Sequence, residues 1–159
     1  MRKPCSVARS STKIKPDIMQ DYLVDSNILL YLLVESHSLH EKTRERFEQL
    51  GVDNSRFWLA YSTFFEFWAG LSKGKKIPPA QQELIDYKNR IELAFTFLDD
   101  GTIVKTKVDY LVHKYYIQGM QIYDARLAAT LLTYGLDGIL TNNVKHFKVF
   151  EPEIKILAL

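Results

Sequence analysis

The sequence predicts an α/β sandwich, a mostly parallel sheet of about five strands with helices packed on it. Three observations predict it. Short apolar runs rich in aromatic and β-branched residues alternate with longer helix-period segments from Tyr22 to the C-terminus. The chain of 159 residues has the size of one compact domain with a sizeable core. Asp25, a carboxylate, stands where the first strand gives way to a helix, the place where open sheets of this class bind ligands.

The elements follow in order. Tyr22-Leu-Val24 reads as a short buried strand, and Ile-Leu-Leu-Tyr-Leu-Leu after it as a helix capped by Ser26 or Asn27. Residues 38–50 form a charged second helix, and Phe57-Trp-Leu-Ala-Tyr61 a second strand entered from the Gly51–Asn54 loop. Thr63 to about Leu71 is helical and closes at Ser72-Lys-Gly74; Pro78-Pro79 opens a helix running to Phe97. After the Asp99-Asp100-Gly101 turn, Thr102–Lys107 is expected as strand and 109–118 as helix up to Gly119. Residues 124–134 are expected as an Ala- and Leu-rich helix stopped by Gly135. Gly138–Thr141 and Ile154–Leu157 complete the strands.

Composition narrows the function classes. Hydrophobic residues make up 47% and charged residues 25%, which is a globular and not a disordered chain. No apolar run reaches the roughly 18 residues a membrane span needs, so no membrane role is expected. The opening lacks the apolar segment of a secretory signal, and a cytoplasmic address follows as an expectation. Cys5 is the only cysteine, so an internal disulfide is impossible and any metal must take oxygen or imidazole ligands. The net charge of +2 is uneven: Arg2, Lys3, Arg9, Lys13 and Lys15 face only Asp17 in residues 1–18, and the remainder is net acidic. Bulk charge therefore names no partner. Residues 1–18 read as a disordered or extra tail, with residues 19–159 as the domain and Met19 as an alternative start.

Several side chains carry potential chemistry, each with a bland reading beside it. Asp25 faces the sheet edge or caps the helix. Glu66 fits a capping box with Thr63, yet its neighbours Phe64, Phe65, Phe67 and Trp68 are large and apolar, and an enclosed carboxylate needs a partner. Asp124 suits a helix N-terminus, while Ala125, Ala128 and Ala129 let that helix lie close to its neighbours. Asn142 and Asn143 follow a strand and can offer amide oxygens to a cation or simply form a turn.

Taken together, LVDSNILLYLL (23–33), STFFEFWAG (62–70), YDARLAATLLTYG (123–135) and ILTNNVKHF (139–147) resemble the ordered motifs of PIN domains. The similarity is nearest to the VapC-type toxins of type II toxin–antitoxin pairs, and it runs from about Asp21 to the C-terminus. The resemblance implies a PIN-like three-layer sandwich. It also implies an acidic site in which Asp25, Glu66 and Asp124 are catalytic metal ligands and Asn143 stands where the family usually has Asp. Ser26, Asn27, Thr141 and Asn142 would then support the ligands, and His146 is a possible phosphate contact, though a surface role is the more ordinary one.

The activity so implied is Mg²⁺-dependent hydrolysis of phosphodiester bonds in structured RNA such as tRNA or rRNA, with Mn²⁺ able to substitute. The implied partners are a cognate antitoxin protein, whose amphipathic helix would enter an acidic cleft rimmed by the four aromatics, at least two of which are expected to be core instead, and a second copy in a homodimer. The basic tail is then inert or an arm on RNA phosphates. Two other readings stay open: a non-catalytic PIN domain that binds RNA or protein, for which Asn143 speaks, and a small-molecule phosphatase-like hydrolase. Because three close carboxylates repel, Asp25→Asn is expected to keep or raise the melting temperature without metal.

Overall fold

The computed structural model describes residues 19–72 and 80–159. The expected tail at residues 1–18, the Lys73-Gly74 stop and the Pro78-Pro79 start lie outside the described residues. Five parallel strands form one sheet in the order β3-β2-β1-β4-β5. They are β1 (Gln20–Val24), β2 (Ser55–Ala60), β3 (Thr96–Leu98), β4 (Gly138–Leu140) and β5 (Ile156–Leu157). The helices are α1 (Ser26–Leu33), α2 (His40–Val52), α3 (Tyr61–Ser72), α4 (Gln81–Ala94), α5 (Lys105–Tyr115), α6 (Gln121–Tyr134) and the short α7 (Val144–Phe147).

Alternation along the strands builds the three layers. Tyr22, Val24, Leu59 and Leu140 project to one face, where they meet Ile28, Leu29, Phe67 and Ile91 of α1, α3 and α4. Leu23, Ala60, Leu98 and Ile139 project to the other, against Leu111, Ala125, Ala128 and Ala129 of α5 and α6. Burial on both faces explains why β1 and β4 read as unbroken apolar runs rather than as alternating ones. Each buried Leu, Ile or Phe contributes roughly 1.5–3 kcal/mol.

β1 pairs with β2 on one side and β4 on the other, so the chain leaves β1 in one direction and later returns in the opposite one. Between the carboxyl ends of these two strands lies the topological switch point, where the diverging connections leave a crevice. Asp25 ends β1, and its backbone N–H donates to Leu140 O of β4 at 3.0 Å.

Three expectations are corrected. The strand expected at Thr102–Lys107 is a 3₁₀ turn at Thr102–Val104 followed by α5, and the strand lies earlier, at Thr96–Leu98, within what read as the end of a helix. Parallel pairing of Trp58 with Thr96 and Ala60 with Leu98 decides the matter, because it buries Leu98 while Lys105, Thr106 and Lys107 stay in water. Asp25 itself, not Ser26 or Asn27, caps α1, accepting the Ser26 N–H at 2.7 Å. The capping box of Thr63 with Glu66 does not form: α3 begins at Tyr61, and Thr63 Oγ1 is buried without a hydrogen-bond partner.

Helix ends otherwise follow sequence chemistry. Gly135 ends α6 with φ 64° as expected. α5 stops at Tyr116, whose φ of 54° is an unfavourable left-handed conformation, while the next residue, Ile117, is buried and donates to Val112 O at 3.0 Å.

At the other end of the sheet Asp21 ties β1 to β2. Its carboxylate takes two 2.7 Å bonds from Arg56 and one of 2.8 Å from Trp58 Nε1. Arg56 thereby holds the Asp21 carboxyl below the usual carboxylate range. A lowered folded-state pKa adds stability above the ordinary carboxylate range and loses it as pH falls through the folded value. Asp21→Asn should therefore lower the urea midpoint at pH 7, and the difference from wild type should close as the medium is acidified. Both partners are partly exposed, so the effect is modest. Gly138 is the tighter constraint. An added Cβ would lie 2.9 Å from Lys155 O and 2.8 Å from Leu157 Cδ1. Gly138→Ala should destabilise by about 1–3 kcal/mol in urea unfolding, since β5 must move to admit it.

Candidate active site

Asp25 is 5% exposed, and both of its carboxylate oxygens are engaged. Oδ1 accepts from Ser26 N at 2.7 Å and from Ser26 Oγ at 3.4 Å. Oδ2 accepts from Thr141 Oγ1 and Asn27 Nδ2, each at 2.6 Å. Burial pushes the Asp25 carboxyl above its usual range, while the bonds from Thr141, Ser26 and Asn27 pull it down. Thr141 and Asn27 are in turn fixed by the loop after β4. Thr141 Oγ1 accepts the Asn143 N–H at 2.9 Å, and Asn27 Oδ1 accepts the Asn142 N–H at 3.1 Å.

These contacts correct the expected effect of Asp25→Asn. An amide in place of Oδ2 would direct N–H donors at the Asn27 amide and Thr141 hydroxyl, which already donate there. The substitution exchanges charge repulsion for mismatched hydrogen bonds, so it offers no clean relief.

Glu66 lies in the second turn of α3 and Asp124 in the first turn of α6, both half-buried. They line one cavity of about 510 Å³ with Met120, Gln121, Tyr123, Lys145 and His146. Burial raises the Glu66 carboxyl most, a hydrogen bond from Ser26 opposes that rise, and the charges of Asp25, Asp124 and Asp100 add to it. Asp124 is likewise raised by burial and by Asp25, while His146 when protonated pulls it down. His146 Nδ1 lies 3.6 Å from Asp124 Oδ2. Asn142 and Asn143 have exposed side chains and enter the network through their backbone N–H groups.

The four aromatics of α3 do not rim this cavity. Phe67 is core, Phe64 and Trp68 pack against it, and Phe65 is 66% exposed. The apolar wall is made instead by Met120 and Tyr123, residues that sequence reasoning passed over because it started α6 at Asp124 rather than at Gln121. Lys145 was missed too; its place one residue before His146 in a loop already singled out was the available signal.

A profile of the PIN domain matches residues 22–150. The chain belongs to the PIN domain family. Solved structures share the fold. VapBC2 from Rickettsia felis, bound to a DNA fragment from their promoter, matches at 18% identity over 88% of this chain and 99% of that one, with a TM-score of 0.68. DNA-bound VapBC from Salmonella typhimurium matches at 22% identity over 88% and 98%, TM-score 0.64. A toxin–antitoxin complex from Klebsiella pneumoniae matches at 21% over 79% and 89%, TM-score 0.53. Comparison with curated proteins finds no match.

PIN nucleases generally use divalent metals, and the donor chemistry here fits one. Asp25, Glu66 and Asp124 offer hard oxygens, and among the described residues neither Asp25 nor Glu66 has an ion-pair partner. Their mutual repulsion is the debt a cation would cancel. As the side chains stand, no group of three or more His, Cys, Asp or Glu among the described residues is gathered closely enough to hold a metal ion.

Glu66→Gln tests the combined cost of burying this carboxylate and crowding it with other acids, since Gln can still accept from Ser26. A raised folded-state carboxyl costs stability at neutral pH, and the cost disappears as protonation completes at lower pH. In EDTA at pH 7 the variant should melt roughly 2–4 °C above wild type, the shift about 1 kcal/mol produces in a domain of this size. The gap should narrow toward the ordinary carboxylate range. A variant melting below wild type at both pH values would remove the buried, crowded charge as a source of instability.

Proposed function

We propose that this PIN domain is a metal-dependent endoribonuclease and the toxin of a toxin–antitoxin pair, cutting structured RNA such as tRNA or rRNA. The observation that supports the reading is the placement of Glu66 and Asp124 on one cavity wall of a PIN fold that also buries Asp25: burial raises all three carboxyls, and the charge of Asp25 raises those of Glu66 and Asp124 further. PIN domains are generally nucleases, and the structures of similar fold include one named as a toxin–antitoxin complex.

In this reading Asp25, Glu66 and Asp124 hold Mg²⁺, with Mn²⁺ as a substitute. The ion, when bound, supplies Lewis-acid stabilisation of phosphate charge and a more acidic water. Thr141, Asn27 and Ser26 aim Asp25 and prevent its rotation. Asn143 leaves the site one negative charge poorer than the usual pattern, which favours a single ion. Lys145 on the cavity wall offers a positive charge to the RNA phosphate, and His146, 3.6 Å from Asp124 Oδ2, pairs with that carboxylate when protonated. The products expected are a 5′-phosphate and a 3′-hydroxyl. A cognate antitoxin would silence the enzyme by filling the cleft, and a homodimer would present two clefts to it. Cytoplasmic action agrees with such a substrate, and no helix among the described residues is long and apolar enough to cross a membrane.

Total cellular RNA incubated with the full chain and Mg²⁺ should yield discrete fragments on a gel, and EDTA should stop the cutting. Asp25→Asn should slow cleavage by at least about 100-fold, some 2.7 kcal/mol of barrier. RNA retained without cutting would favour the non-catalytic binding reading. Cleavage at the wild-type rate by soluble Asp25→Asn would refute the site. Co-expression with the chromosomal neighbour tests the toxin assignment: copurification and relief of growth inhibition are expected, and a harmless chain without a partner would overturn it.

A further inference from the structure

Asp100 and Arg126 lie outside the group of carboxylates assigned above, yet they connect the two helices that carry Glu66 and Asp124. Asp100, in the turn after β3, is 1% exposed. Its Oδ1 accepts the backbone N–H of Ser62 at 3.2 Å, in the first turn of α3 and four residues before Glu66. The first N–H groups of a helix have no partner within it, and a carboxylate there satisfies one and complements the helix dipole. The hydroxyls of Ser62 and Thr63 find no hydrogen-bond partner, so they contribute no competing anchor.

Arg126 approaches Asp100 from α6, two residues after Asp124. Its Nε donates to the Asp100 backbone carbonyl at 2.8 Å and stands 3.0 Å from Asp100 Oδ2. Oδ2 is buried and has no well-aligned hydrogen bond, so the guanidinium charge is what compensates it. The contacts therefore run unbroken from the first turn of α3, through Asp100, to the second turn of α6.

We propose that Asp100 and Arg126 are positioning residues that set the separation of Glu66 and Asp124, and through it the affinity of the cleft for a divalent cation. The inference rests on the reading of Glu66 and Asp124 as metal-site carboxylates. Glu66 and Asp124 carry like charge in one cavity, so repulsion drives them apart when no cation is bound. The tie through Asp100 opposes that drift from the helix backbones, which the side chains cannot do for themselves. Asp100 is two residues past the end of β3, so the tie is referred to the sheet that also fixes Asp25.

The test is a double-mutant cycle on the full chain with Asp100→Asn, Arg126→Gln and the pair, reading Mn²⁺ affinity by titration calorimetry and folding by thermal melts. Asn retains an oxygen for Ser62 N, while its amide nitrogen replaces the oxygen that faces Arg126, so the charge and the contact to Arg126 are lost together. If these residues position the site, each single variant weakens Mn²⁺ by about tenfold, as loss of a supporting contact does, and the double variant is no worse than either. A purely long-range charge effect would instead move the singles in opposite directions, since one loses a negative and the other a positive charge. Tighter Mn²⁺ binding in folded Arg126→Gln, or additive losses in the double variant, overturns the proposal. Where a single variant does not fold, the double variant, which buries no lone charge, decides: wild-type affinity there overturns the proposal and a tenfold loss supports it. Glu66→Gln and Asp124→Asn separate the two readings. Wild-type Mn²⁺ affinity in both overturns the site assignment, whereas loss in both with wild-type affinity in the double variant overturns the positioning role alone.

Discussion

A carboxylate taken out of water at the end of β1 constrains everything around it. Asp25 is almost fully buried, and a buried charge without compensation would shift its protonation or unfold its surroundings. Compensation comes from three directions: the first N–H of α1, the Asn27 amide one position further, and the Thr141 hydroxyl at the end of β4. These donors belong to elements far apart in sequence. Their convergence requires that β4 lie beside β1, so the crossover that returns the chain to the centre of the sheet and the satisfaction of Asp25 are one requirement. The loop after β4 is bound by the same logic, because its Asn142 and Asn143 N–H groups hold Asn27 and Thr141 in place.

Around this fixed acid the second and third carboxylates are held less firmly. Glu66 and Asp124 sit on helices from opposite faces of the sheet, one packed in each core. A pair that straddles two layers can separate without opening either core, and its repulsion grows as the cleft loses water. Local stability and cleft geometry are thus coupled: what keeps α3 and α6 in register also sets how Glu66 and Asp124 share one cavity. Asp25 is the more firmly held, with donors on both of its carboxylate oxygens.

Much of this was legible from residue order, and the illegible parts have physical causes. The apolar runs at β1 and β4, the acid directly after β1 and Gly135 at the end of α6 announce themselves locally. β3 does not. Thr102–Lys107 carries the β-branched residues that local preference favours, but pairing with β2 and burial of Leu98 select Thr96–Leu98, and no local signal encodes that pairing. The capping box at Thr63 failed for a related reason. Its pattern is correct, yet β2 runs straight into α3 at Tyr61, two residues earlier than the pattern allows. Asp100 read as one of two acids in a turn, and nothing in Asp99-Asp100-Gly101 distinguishes the one that faces water from the one that is buried against Arg126.

The cavity beside the acids combines chemistries that would be unfavourable in a purely structural crevice. Met120 and Tyr123 are 78% and 53% exposed, so they gain little from burial and give the first turn of α6 no packing advantage. Burial raises the carboxyls of Glu66 and Asp124 there and the charge of Asp25 raises both further, which costs stability at neutral pH. Local choices that oppose the fold persist where something other than the fold requires them. The rest of α6 has the opposite character, with Ala125, Leu127, Ala128, Ala129 and Leu131 buried against the sheet and α5. One helix therefore divides its labour along its length: the later turns stabilise the sandwich, and the first turn is free to be strained by charge. That division places half-buried carboxylates at the mouth of the switch point, within reach of solvent.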